Sequence, residues 1–256
     1  MDRGQGPGAV RVRAEGLGKR FQLSTRGSRE SFLATTRRLV FGSSERKPLW
    51  ALRELSFELG PGETLGVIGP NGAGKSTLLL ILAGILGPTE GRATVRGRAS
   101  HLFELGTGLQ PRLTLLENLS LCASLLGMRQ RRFRELLPSI LAFSGLEEYL
   151  YARCGELSAG LAARVPFAAA VHADPEILLV DELVAVGDAA YQEKCLKLFL
   201  DMRSQGRTMV VASHNLGFVS SLCGRMLYLR GGRAAFLGDP AEACRRYLED
   251  FSSKAP

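Results

Sequence analysis

No stretch of this 256-residue chain is apolar for long enough to cross a bilayer. The longest such run, residues 78–87, is about half of the ~20 residues that a spanning helix requires. The first eight residues, Met-Asp-Arg-Gly-Gln-Gly-Pro-Gly, lack the apolar core of an export signal. The chain is therefore expected in the cytosol, where it can still rest against a membrane. Cysteine is sparse: five thiols at positions 122, 154, 195, 223 and 244 form no C-x-x-C pair, and the three histidines do not cluster with them. Neither a metal site nor a disulfide framework is indicated. No internal repeat and no low-complexity stretch is visible.

What remains is an ordinary globular composition, 45% hydrophobic and 23% charged. The length suits one large α/β domain or a core with a smaller lobe. The net charge of +8 is uneven. Residues 11–47 hold ten basic and three acidic side chains, a local +7. Such a patch fits a phosphate-rich partner: lipid headgroups, nucleic acid or an anionic polymer.

One stretch organises the chain. Residues 69–77 read Gly-Pro-Asn-Gly-Ala-Gly-Lys-Ser-Thr and fit G-x-x-x-x-G-K-[ST]. Gly69, Pro70, Asn71, Gly72, Ala73 and Gly74 form a loop whose glycines allow backbone N–H groups to turn toward phosphate oxygens. Lys75 brings a cation to the β- and γ-phosphates, and Ser76 offers a hydroxyl to Mg²⁺. Ser76-Thr77 open a helix expected to reach about Leu86. Upstream, Thr64–Ile68 is the short apolar strand that this motif needs.

Other elements follow from pattern. Strands are expected at Val10–Ala14, Leu49–Leu59, Arg92–Val95 and Ala99–Phe103. Residues 22–48 form a basic connection in which Ser31–Phe41 has helical spacing, either an interfacial amphipathic helix or a solvated surface helix. Phe21 is either a stacking partner for an adenine ring or a partly buried aromatic. From Pro111 the pattern becomes helical: Leu115–Leu126, with Thr114 and Glu117 as a capping box, then Arg131–Phe143, strained or split by Pro138. Strand–helix alternation returns with Ile177–Val180, Tyr191–Arg203 and Thr208–Ala212, then a hairpin around Gly231-Gly232 and a last helix to about Phe251. The fold class is α/β with a mostly parallel sheet. The expected organisation is a single unit, with residues 1–110 and 163–256 as core and 111–162 as an inserted helical lobe.

Further residues complete a nucleotide site. Asp181 ends an apolar strand where it would hold Mg²⁺, and Glu182 could orient or deprotonate an attacking water. His214 ends another strand, where it could reach a γ-phosphate. Ser158, Ala159 and Gly160 open a helix in the lobe, too far along the chain to serve the same loop easily; a second copy could bring them there.

In this order, the pieces resemble the nucleotide-binding subunit of an ABC transporter, from about Ala9 to Leu248. Residues 69–77 resemble its Walker A motif, Leu-Ser-Ala-Gly-Leu at 157–161 its signature, and Ile-Leu-Leu-Val-Asp-Glu at 177–182 its Walker B with the catalytic glutamate. Ala185-Val186-Gly187-Asp188 resembles the D-loop, and His214 the switch histidine. Narrower likenesses at 101–106, 182–195 and in the basic insertion before Trp50 resemble polysaccharide, O-antigen and teichoic-acid exporter ATPases. The resemblance implies an α/β P-loop cassette with an antiparallel β subdomain and a helical lobe. It implies ATP and Mg²⁺ as ligands, an ATP-sandwich homodimer, a separate membrane permease, a lipid-linked polysaccharide cargo, and a peripheral place on the cytoplasmic face of the inner membrane. It also favours the interfacial reading of Ser31–Phe41 and the stacking reading of Phe21. No nucleic-acid partner is expected; a soluble ABC ATPase acting on nucleic acid or ribosomes, and a regulatory module without hydrolysis, are the alternatives. Three departures stand out. Glu104 occupies the Q-loop position, with its contact to Mg²⁺ and water, Ala159 replaces a glycine of the signature, and Pro166 lies inside the helix that follows and is expected to kink it.

Overall fold

A computed structural model describes residues 10–23, 47–102, 109–181 and 188–252. Of the basic insertion expected at 22–48, residues 22–23 and 47–48 lie in strands; residues 24–46, with the helix expected over 31–41, and Glu104, Glu182 and residues 185–187 lie outside the described residues.

Two sheets share the core. In the first, β1 (Val12–Leu23) is the middle strand between β2 (Lys47–Leu59) and β4 (Glu90–Val95), all antiparallel. The second has the order β5-β6-β7-β3-β8-β9, built from β5 (Ala99–Leu102), β6 (Ile177–Asp181), β7 (Thr208–Ala212), β3 (Thr64–Ile68), β8 (Arg225–Arg230) and β9 (Arg233–Gly238). Every pairing is parallel except the β8–β9 hairpin. The α/β, mostly parallel reading is therefore correct, and so is the separate antiparallel sheet.

The central strands are apolar on both faces because both are covered. Leu178, Val180, Met209 and Val211 face one hydrophobic cluster, while Ile177, Leu179, Val210 and Ala212 face the other. The first cluster lies under α4 (Ala159–His172), α5 (Ala189–Ser204), α6 (Leu216–Leu222) and α7 (Pro240–Ser252). The second is closed by α1 (Lys75–Leu82) and the antiparallel sheet. A third cluster joins α2 (Leu115–Leu125), α3 (Gln130–Ser144) and the near half of α4 through Leu119, Phe133, Ile140, Val165 and Ala168. α4 thus contributes to both lobe and core.

Several elements differ from expectation for local reasons. β1 continues to Leu23, which places Phe21 on the strand itself. α1 stops at Leu82 instead of Leu86, because Gly84 turns the chain with φ 73°. Pro138 does not split α3, and α4 is continuous through Pro166. Each proline lacks one N–H, yet buried neighbours on both sides (Phe133 and Ile140; Val165 and Phe167) hold the flanking turns in the core. α6 was not foreseen. Its seven residues give too little periodicity, but Asn215 caps it by accepting from Phe218 N–H at 3.1 Å. The expected capping box on α2 is present: Thr114 Oγ1 accepts from Glu117 N–H at 3.3 Å, and Thr114 N–H donates to Glu117 Oε2 at 2.7 Å.

Candidate functional site

Strand register brings separate segments to one edge. Val67 on β3 and Asp181 on β6 both pair with Ala212 on the strand between them. The carboxyl ends of β3, β7 and β6 therefore stand level. They lead into the phosphate loop, into Ser213-His214, and through Asp181. Ser213 N–H donates to Val67 O at 3.4 Å, which ties two of these ends directly. Carboxyl ends of adjacent parallel strands are where open α/β sheets bind ligands.

The loop is held by its own backbone. Lys75 is buried, and its ammonium donates to Gly69 O at 2.9 Å and to Pro70 O at 3.2 Å. Ala73 N–H donates to Pro70 O at 3.1 Å. At Gly74 φ is 106°, and a Cβ there would lie 2.4 Å from Ala51 O and 2.7 Å from Leu52 Cδ2. The missing side chain is thus needed twice, for the backbone angle and for the close approach of β2. α1 begins at this glycine without a side-chain cap and without an acid in its first turn. An anion is the natural complement of a helix start of this kind.

A cavity of about 470 Å³ opens over the loop. Residues 71–77 form its floor, and Phe21, Leu49 and Ala51 form a wall. Phe21 comes from β1, some fifty residues upstream, and reaches the loop through strand pairing. Its cross-strand partner is Leu49, next to the Arg20–Trp50 pair. Register shifts between Ala14 and Leu17, Leu17 and Lys19, and Lys19 and Arg20 twist this end of the strand. Phe21 stays 37% exposed and Leu49 50%, an open apolar wall beside a polar floor. The ammonium of Lys19 lies 5.4 Å from the Phe21 ring centroid. This donor set, with backbone cradle, Lys75, the exposed Ser76 hydroxyl and an aromatic wall, fits a nucleotide phosphate chain, a divalent cation and a base.

The remaining predicted residues divide. His214 is exposed at the strand-end row, and Asp181 is half-buried there. Ser158, Ala159 and Gly160 are exposed at the start of α4, outside this cavity. Ser158 caps α4 by accepting from Leu161 N–H at 3.3 Å. Asp188 also lies outside the cavity. It caps α5 by accepting from Tyr191 N–H at 2.9 Å, and its other oxygen accepts from Arg164 at 3.1 Å. The cap, with Arg164 assisting, holds its carboxyl below the usual carboxylate range.

Three groups escaped the sequence reading. Leu49 and Ala51 looked like ordinary strand residues; only strand pairing sets them over the loop. Arg164 carries a visible signal, a lone cation within an apolar helical stretch, and such a residue needs a buried partner. Asn118 sits fully buried on α2. Its Oδ1 accepts from Gln110 N–H at 2.8 Å, and its amide donates to Gln110 O, Leu113 O and Thr114 O at 3.1, 3.3 and 3.0 Å. It fixes the chain where it enters the lobe.

Residues 52–185 match the ABC transporter family profile. The chain belongs to the ABC transporter family. Among relatives of this cassette, the teichoic acids export ATP-binding protein TagH of Listeria innocua is 37% identical over 207 residues, 81% of this chain and 62% of TagH. The O-antigen export system ATP-binding protein RfbB of Klebsiella pneumoniae is 37% identical over 199 residues, 78% of this chain and 81% of that protein. The cassette spans less than two thirds of the length of TagH and 53% of RfbB from Myxococcus xanthus. A solved ATP-binding cassette, a dimer in a post-hydrolysis state bound to ADP and Pi, superposes with a TM-score of 0.73 at 23% identity over 90% of this chain and 98% of that one. That likeness establishes the ABC cassette fold.

Proposed function

We propose that this ABC cassette is the ATP-hydrolysing subunit of an exporter that moves a lipid-linked polysaccharide across the inner membrane. The observation that carries the nucleotide part is the cavity joining Phe21 to residues 71–77 beside the row of strand ends. The names of TagH and RfbB support the cargo class, and the basic insertion suits an anionic lipid-linked substrate.

Phe21 stacks on the base. The loop N–H groups and Lys75 bind the phosphates; Lys75 releases Gly69 O and Pro70 O as phosphate oxygens replace them. Ser76 and Asp181, with Glu104 at the Q-loop position, would hold Mg²⁺, which would supply positive charge against the phosphate chain. Glu182 takes the proton of the attacking water, and His214 orients and polarises the γ-phosphate. Ser158–Gly160 are exposed and away from the chain's own cavity, so they serve the site of a second copy. Two copies then enclose two ATP molecules, with Asp188 at the edge between them. ATP favours the closed dimer and hydrolysis reopens it. The lobe at 111–162 passes this motion to a separate membrane permease. Among the described residues no helix is long and apolar enough to cross a membrane, which suits a peripheral subunit.

The test is Glu182→Gln with saturating ATP, read by size-exclusion chromatography with light scattering. A stable ATP-bound dimer is expected; a monomer under those conditions overturns the sandwich. Lys75→Ala is expected to abolish turnover, and unchanged phosphate release removes the site assignment.

A further inference from the structure

Arg164 is one helical turn beyond the exposed Ser158–Gly160 end of α4, and only 14% of its side chain is exposed. Its guanidinium meets two other elements, α3 and α5. Nη1 donates to Ser144 O, the last residue of α3, at 3.2 Å. Nη2 donates to Asp188 Oδ2, the cap of α5, at 3.1 Å. Its Cζ lies 4.3 Å from the centroid of the Tyr191 ring in the first turn of α5. Among the described residues, its Nε is buried without a hydrogen-bond partner. A buried guanidinium with one orphan donor is an expensive way to fill space, and an apolar side chain would serve better if packing were all that mattered.

The surroundings reinforce the junction. Phe143 near the end of α3 packs on Phe167 of α4 at 5.9 Å and on Tyr191 of α5 at 5.8 Å. Lys194 on α5 donates to Ala142 O at 2.7 Å. The aromatic contacts are non-directional enough to tolerate sliding; the forked guanidinium is not, because two N–H donors must meet two fixed acceptors. The Asp188 carboxylate is 68% exposed, so the ion pair adds little to stability. What it supplies is register.

We propose that Arg164 is a positioning residue that locks the exposed start of α4 to Asp188, so that Ser158–Gly160 and the start of α5 meet a second copy of the chain as one rigid edge. The inference rests on the composite-site reading above. In it, Asp188 acts on the partner's site by holding the edge in shape, and Tyr191 supplies the flat surface that sets the guanidinium plane.

The test compares Asp188→Asn, Arg164→Met and the double variant in the full chain. Asparagine caps a helix as well as aspartate, so Asp188→Asn removes charge from the pair while leaving α5 capped. Amide hydrogen exchange is expected to rise at residues 159–164 and at 188–192 together in either single variant, with the thermal midpoint of Asp188→Asn almost unchanged. Turnover at saturating ATP is expected to fall about ten-fold, KM for ATP to change less than two-fold, and the double variant to be no worse than Arg164→Met alone. Wild-type exchange at either segment, multiplicative losses in the double variant, or a loss of turnover that merely follows the thermal midpoint overturns the proposal. A wild-type chain without turnover sinks the ATPase reading instead, and the paired exchange result alone then decides whether α4 and Asp188 are locked.

Discussion

Replacing Asn118 tests how the lobe is anchored. The side chain is fully buried and makes four hydrogen bonds to the Gln110–Thr114 segment. Asn118→Leu keeps most of the volume and removes all four. The loss is smaller than the count suggests, because each carbonyl keeps another donor. Gln110 O still accepts from Leu113 N–H, Leu113 O from Cys154 N–H, and Thr114 O from the backbone N–H of residue 118. Among the described residues, it is the Gln110 N–H that loses its acceptor, a cost of about 1–3 kcal/mol. For a chain of this size each kcal/mol moves the thermal midpoint by about 2–4 °C, so a drop of roughly 2–12 °C is expected. Asn118→Asp is nearly isosteric but presents a carboxylate to three carbonyl oxygens in a buried place. It either keeps an unpaired charge there or takes up a proton and makes one donation instead of three. Its cost is expected to reach about 3–5 kcal/mol at neutral pH and to shrink as pH falls toward the carboxyl pKa. Thermal and urea denaturation at pH 7.5 and pH 5.5 read both effects. Leucine proving worse than aspartate at pH 7.5 would refute the claim that the amide donors, rather than packing, make this position.

Two further outcomes follow from particular contacts. Gly74→Ala forces a Cβ to within 2.4 Å of Ala51 O at φ 106°; a stability loss of about 1–3 kcal/mol is expected, together with lost nucleotide binding in a fluorescent-ATP titration, and wild-type affinity would contradict the reading of the cradle. His172 is held below its ordinary pKa of 6.5 by burial, with its bond to Ala168 O opposing the shift. The folded state therefore binds its proton less readily than the unfolded chain, so its stability contribution is complete above pH 6.5 and is lost as pH falls from there through the folded value. His172→Phe should flatten the fall of the thermal midpoint between pH 7.5 and 5.5, and an unchanged slope would assign that fall to other groups.

Much of the fold is written locally. β3 and β7 have the bounds that their apolar runs predict, and Thr114 with Glu117 announces the start of α2 from side-chain chemistry within one turn. A missing N–H is visible in sequence at Pro138 and Pro166, while the buried neighbours that keep α3 and α4 continuous through them are not. α6 went unseen because a seven-residue helix depends on its cap and on burial of Phe218, Val219 and Leu222 more than on periodicity.

The phosphate-loop motif is legible in sequence alone, since its glycines, Lys75 and Ser76 are contiguous; that Gly74 must also admit β2 is set by the folded sheet. Asp181 and His214 could be placed at strand ends by the same local logic. That those ends stand level depends on register between strands whose paired residues lie 31 and 145 positions apart, which only the folded sheet sets. The aromatic wall of the cavity depends on β1 pairing with β2 across the insertion, bringing Phe21 opposite Leu49. Arg164 joins three helices that no local pattern connects, because side-chain meetings between distant elements are decided by packing.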